Sequence, residues 1–154
     1  MPATSEAIGL RGRLRLVTAT GVERNVPNQV LQSGAELVAK LFSGQLTTPI
    51  DRISLGFGDG PLEPTDTALR PGTANPTTLR SPVAPDDCTV TIEGESVRIS
   101  ITATFTPTVV LREVTEAGLG AGDLLYNQVM FDPVTLDEDR PVSFFWEIDF
   151  PFGH

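Results

Sequence analysis

Apolar and polar residues alternate without a break from Val97 to Phe105. Val97, Ile99, Ile101, Ala103 and Phe105 take one parity, and Arg98, Ser100, Thr102 and Thr104 take the other. Period two over such a run predicts a β-strand with one face in a core and one in water. A second run lies near the end of the chain, where Val142, Phe144, Trp146, Ile148 and Phe150 alternate with Ser143, Phe145, Glu147 and Asp149. Two long half-buried strands need a further layer over their apolar faces.

The same period marks shorter strands. Leu10, Leu14 and Leu16 alternate with Arg11, Arg13 and Arg15, with Gly12 in an apolar slot, and a strand over 10–20 is expected to turn at Gly21 and return through 22–26. Ile53, Leu55 and Phe57 alternate with Arg52, Ser54 and Gly56. From Cys88 a meander is predicted: a strand through Val90 and Ile92, a turn at Glu93-Gly94-Glu95, the Val97–Phe105 strand, and a strand over Val109–Val114 before the glycine-rich stretch from Glu116 to Gly122. Leu124–Phe131 is the next strand, turned by Asp132-Pro133.

The period changes once. Leu37, Val38, Leu41 and Phe42 form one apolar stripe at helical spacing, and Ser33 with Glu36 has capping-box spacing. Gly44 suits a left-handed C-cap. One amphipathic helix over about 33–43 is predicted, covering a sheet. Residues 59–86 hold six prolines and read as a long loop, with one turn at Thr65-Asp-Thr-Ala-Leu69 that plugs Leu69 into the core and an edge strand near Leu79 and Val83. The expected fold is mainly β: an antiparallel β-sandwich or jelly-roll-like barrel with one helix, in a single domain over 10–154 behind a flexible arm at 1–9.

Charge narrows the partners. Residues 1–50 carry Arg11, Arg13, Arg15, Arg24 and Lys40 against Glu6, Glu23 and Glu36, a balance of +2 that leaves −11 for the rest of a chain whose net charge is −9. A nucleic-acid partner is not expected of so acidic a body. No apolar run reaches the roughly 18 residues of a membrane helix, so no membrane partner is expected. The N-terminus has no basic segment followed by an apolar one, which reads as an unsecreted chain.

Catalytic chemistry has little to work with. The one histidine is His154, the one lysine is Lys40 and the one cysteine is Cys88 at a strand start, read as a small core residue. Gly56-Phe-Gly-Asp-Gly60 is followed by Pro61 and Pro64, so it does not open the helix a phosphate loop needs. Asp59, Glu63 and Asp66 share one loop, and Asp132, Asp137, Glu138 and Asp139 share another; neither has the spacing of a calcium-binding helix–loop–helix. No catalytic residue, metal site or cofactor is expected. The candidate interaction residues are Arg11, Arg13 and Arg15, an arginine face suited to a carboxylate-rich partner, and Phe145 and Phe152, apolar residues at outward positions. A calcium- or carbohydrate-binding recognition module is the alternative that such a sandwich also accommodates.

Several short motifs follow one another in order. Asn28–Gly44 contains Gly34, Leu37-Val-Ala-Lys-Leu41 and Gly44; Ile53–Leu69 reads Ile-Ser-Leu-Gly-Phe-Gly-Asp-Gly-Pro-Leu-Glu-Pro-Thr-Asp-Thr-Ala-Leu; then come the Val97–Phe105 strand, Glu113-Val-Thr-Glu-Ala-Gly-Leu119 and Trp146-Glu-Ile148. Over residues 28–150 this order resembles a family of small tailed-phage virion structural proteins, and it is similar to the N-terminal attachment domain of some phage tail fibres. Gly120 stands where that family has Phe. The resemblance implies a non-enzymatic virion protein, made in the host cytoplasm. Such a protein assembles with copies of itself and with other virion proteins, as a tail or baseplate adaptor for fibres or as a capsid decoration (cement) protein.

Overall fold

A computed structural model of the chain describes residues 10–58, 63–66, 68–69, 79–122 and 124–153. Two open antiparallel sheets form a β-sandwich, with one helix. The proposed arm at 1–9, Asp59, Thr67 and the whole 70–78 stretch lie outside the described residues, as does His154.

The first sheet is built from β1 (Arg11–Val17), β2 (Glu23–Pro27), β6 (Cys88–Glu93), β7 (Ser96–Phe105) and β11 (Val142–Pro151), in the order β2-β1-β11-β7-β6. Both long alternating runs are therefore neighbours at its centre. Their register sets Trp146 against Ile101 and Phe144 against Ala103. On the other side β1 places Leu14 beside Trp146 and Leu16 beside Phe144. Alternation decides which of these side chains enter the core, because opposed residues of an antiparallel pair share a face. Gly21 turns β1 into β2 at a φ of 91°, as the sequence predicts.

The second sheet holds β3 (Gln29–Val30), β4 (Arg52–Gly56), β5 (Leu79–Pro82), β8 (Leu111–Ala121), β9 (Leu124–Leu125) and β10 (Asn127–Leu136). Its order is β3-β10-β8-β4-β5, with β9 on β8. The edge strand expected near Leu79 is present as β5. Ile53, Leu55, Ala117, Leu119, Val129 and Leu136 meet the first sheet's Leu14, Leu16, Phe144 and Trp146 in one apolar core.

Two strand expectations are corrected. The strand predicted to stop at Val114 begins at Leu111 and runs through the glycine-rich segment to Ala121, buried from Val114 onward. It is flanked by β4 and β10 and covered on its outer face, so small residues replace alternation. Asp132-Pro133 does not end its strand. β10 continues to Leu136 across a register shift between Met130 and Val134, and a proline without N–H is tolerated at such a bulge. Arg24 of β2 clamps that bulge by donating to Asp132 O and Pro133 O, both at 2.9 Å, and so ties one margin of the sandwich together.

The helix α1 (Gln32–Ser43) lies where the stripe predicts, and Gly44 caps it in the left-handed region at φ 78°, ψ 8°. The capping box is not made. Ser33 Oγ donates instead to Leu125 O at 2.5 Å, and Glu36 pairs with Lys40 at 3.0 Å. Leu37 is buried and Val38 and Leu41 half-buried, whereas Phe42 is 94% exposed. At 100° per residue Phe42 sits about 140° round from Leu37, beyond the covered stripe.

Tyr126, the chain's single tyrosine, is 2% exposed, and among the described residues its hydroxyl has no hydrogen-bond partner. Burial pushes its pKa up from 10.0 to about 12. Between those values the unfolded chain holds fewer protons than the folded one, so stability falls as pH rises from about 10 to about 12. Tyr126→Phe is expected to remove that fall. Below about pH 10 it is expected to be neutral or stabilising by up to about 1 kcal/mol, because it deletes a buried hydroxyl that bonds to nothing. Urea unfolding at about pH 9 and about pH 11 checks both signs, and the ultraviolet absorbance titration reads Tyr126 alone.

Candidate functional site

β1 carries Arg11, Arg13 and Arg15 on the exposed face of the first sheet, as the alternation requires. The structure brings Phe145 to the same face, where it sits opposite Arg15 on β11. The Arg15 guanidinium lies 5.2 Å from the centre of the Phe145 ring, a cation–π contact, and its Nε is 2.5 Å from Glu23 Oε1. Arg13 donates to Asn25 Oδ1 at 2.7 Å. The register places Arg11 opposite Asp149 and Arg13 opposite Glu147. Those two carboxylates also hold Arg98 of β7, at 2.8 Å to Asp149 and 3.2 Å to Glu147, and the Asp149 bond raises the Arg98 pKa further.

The face is therefore a mixed-charge lattice in which cross-strand carboxylates stand beside the arginines. Exposed pairs of this kind contribute about 0–1 kcal/mol each, so their role is to orient the guanidinium groups more than to stabilise the sheet. A groove of about 320 Å³ opens over it between Arg11, Arg13 and Arg98, with Glu147 and Asp149 on its wall. Phe152 is not brought to this face. It follows the end of β11, 47% exposed, with its N–H donating to Glu95 O at 2.9 Å.

The residues of the ordered motifs meet elsewhere, on the outer face of the second sheet. Gly56 of β4 lies opposite Glu116 of β8, and Ser54 lies opposite Gly118. A Cβ at Gly56 would collide with the Glu116 carboxylate and come within 3.0 Å of Leu69 Cβ. A Cβ at Gly118 would come within 2.6 Å of Asn127 O. The missing side chains make a floor on which Leu69 lies, 7% exposed, in a small second core with Leu31 and Leu125. Glu116 is fully buried there and accepts from Gln128 Nε2 at 3.4 Å. Gly34 of α1 rests against the Tyr126 carbonyl. Leu69 enters a core as the sequence predicts, whereas the glycine floor beneath it was not foreseen, because close backbone approach leaves no hydrophobic period to read.

The remaining reactive groups stay apart. Glu63 and Asp66 close their own turn, with Asp66 N–H donating to Glu63 O at 3.0 Å and Glu63 N–H to Asp66 Oδ2 at 3.2 Å. Asp132, Asp137, Glu138 and Asp139 are exposed along the end of β10 and the following turn. Among the described residues no group of three or more His, Cys, Asp or Glu side chains is placed to hold a metal ion. Cys88 is half-buried and packs against the main core; burial, then Asp87, raises its thiol pKa, away from a thiolate nucleophile. Trp146 is fully buried, with Nε1–H donating to Asn28 Oδ1 at 2.9 Å. Among the described residues no helix is long and apolar enough to cross a membrane. Comparison with protein-family models, with characterised proteins and with solved structures finds no match.

Proposed function

We propose that this chain is a non-enzymatic structural protein of a tailed phage or phage-tail-like particle. It is read as an oligomerising β-sandwich module that docks on the tail or baseplate as a fibre-attachment adaptor, or on the capsid as a decoration protein. The observation that supports the reading is where the ordered motif residues fall. Gly34, Gly56, Leu69, Glu116 and Gly118 come from three separate motifs and pack within one region of the second sheet and its cover. Motifs that meet each other around a buried floor, with no reactive cluster beside them among the described residues, suit a building block whose fold is what has to be specified.

On this reading the mixed-charge face of β1 and β11 is a docking surface for a partner with paired acidic and basic side chains, and Arg15 stacked on Phe145 is its apolar centre. Mass spectrometry of purified particles is expected to find the protein at a fixed stoichiometry, and imaging of the same particles to place it on tail, baseplate or shell. Its absence from purified particles overturns the proposal.

A further inference from the structure

Two sheets have four edges, and three of them are blunted. β2 ends in Pro27 and is tied to β10 through Arg24. β3 is two residues long, and β5 ends in Pro82. These are the devices by which sheet proteins avoid pairing with a further chain. β6 has none of them. It is six residues long, Cys-Thr-Val-Thr-Ile-Glu, without proline, lysine or arginine, and among the described residues it is the last strand of its sheet.

No described element covers the inner face of the first sheet along this edge. Ile148, Ile99 and Val90 stand in one cross-strand row, and exposure rises along it from 3% at Ile148, through half-buried Ile99, to 65% at Val90. In the next row Phe150 and Val97 are half-buried and Ile92 is 75% exposed. The cover stops because the second sheet ends at β5, which reaches β7 only near Thr104, where Ser81 Oγ donates to Thr104 O at 3.4 Å. Phe152, bonded to the turn after β6, stands at the Ile92 end of this apolar corner. Both ends of the strand are acidic: Asp86 and Asp87 precede it, Glu93 and Glu95 close it, and residues 81–97 contain no lysine or arginine.

We infer that β6 is a receptor edge: it takes up an extended strand of another polypeptide, with alternate Val- or Ile-class side chains over Val90 and Ile92 and basic residues at both ends. Main-chain hydrogen bonds to the free edge supply the pairing, the apolar rows supply burial, and the terminal carboxylates select a basic partner. A second copy of this chain fits less well. The two self-pairing registers that keep both apolar rows on one face and pair most of β6 set Asp87 against Glu93 or against Glu95, and like charges directly opposite are destabilising. The inference deepens the structural reading above and rests on it for the partner's being another particle component.

The test uses the full chain, labelled with ¹⁵N, and the synthetic peptide Lys-Lys-Thr-Val-Thr-Ile-Thr-Lys-Lys. The peptide is expected to shift and protect the amides of 88–93. Replacing its lysines with glutamate is expected to weaken binding at least about tenfold at low salt, and Ile92→Lys in the protein to do the same. Ile92 is exposed, so a superimposable urea curve for Ile92→Lys shows that the fold is kept. Equal affinity for the basic and acidic peptides, or shifts that map away from β6, overturns the inference. So does sedimentation showing that the chain alone dimerises with its own 88–93 amides protected. None of these outcomes bears on whether purified particles contain the protein, so the two proposals fail separately.

Discussion

Trp146→Ala is expected to lower the unfolding free energy by about 3–5 kcal/mol, the range for truncating a large buried aromatic. For a domain of this size that is a fall in Tm of about 10 °C. Trp146 is fully buried at the middle of β11, with Leu14 beside it on β1 and Ile101 beside it on β7. Its indole N–H is held by Asn28 Oδ1, and Asn28 N–H in turn donates to Gly12 O at 3.0 Å. The Asn28 amide occupies the space where a side chain at position 12 would be, which is why a glycine interrupts the apolar parity of β1. Trp146→Phe keeps most of the ring volume and removes the donor. It is expected to cost about 1–2 kcal/mol by leaving Asn28 Oδ1 without its partner. A double-mutant cycle of Trp146→Phe with Asn28→Ala is expected to show coupling of about 1 kcal/mol. Urea unfolding with an unchanged slope checks all four variants, and strictly additive losses in the cycle would mean the bond contributes nothing.

Gly12 also shows what alternation conveys. The parity of Leu14 and Leu16 against Arg13 and Arg15 was enough to place β1 with one face inward. The central strands β7 and β11 were legible for the same reason, since side-chain volume on one parity implies a core on that side. Where the covering layer is backbone, volume falls to nothing. Glu116 and Gly118 belong to the floor on which Leu69 lies closely and the Arg52 guanidinium covers Gly120, so β8 resembles a loop in sequence although it is among the most buried strands. Ser33 is a similar case. Its spacing to Glu36 is a local signal, but Leu125 O offers its hydroxyl a tertiary partner.

The candidate surface divides along the same line. That Arg11, Arg13 and Arg15 share a face follows from period two alone. That Glu23, Asn25, Glu147 and Asp149 stand beside them depends on the register of two strand pairs, which links residues as far apart as Arg11 and Asp149. Phe145 and Phe152 looked alike in sequence and are separated in the fold, because the strand ends between them. Val90 and Ile92 were legible as strand residues pointing to one side. Whether anything covered that side depended on how far the second sheet reaches, which no local pattern encodes.

Gly34→Ala separates two effects of opposite sign. Gly34 lies in the first turn of α1, where alanine in place of glycine is expected to stabilise a helix by about 0.5–1 kcal/mol. In this fold the new Cβ would fall on the Tyr126 carbonyl, within 2.7 Å of its carbon and 2.9 Å of its Cα. Those are backbone atoms at the junction of β9 and β10, and the Ser33 bond to Leu125 O fixes α1 to the same junction. Neither side can rotate away. Relief requires the helix to lift, which would open the small core of Leu31, Leu69 and Leu125. Overpacking of this kind costs about 1–3 kcal/mol and here exceeds the gain in propensity. Net destabilisation of about 2 kcal/mol is expected from urea unfolding, with Ala39→Gly on the exposed face of the same helix costing about 1 kcal/mol as the propensity reference. If Gly34→Ala stabilises the protein, the close contact between α1 and the second sheet is wrong, and with it the account of why a glycine begins this helix.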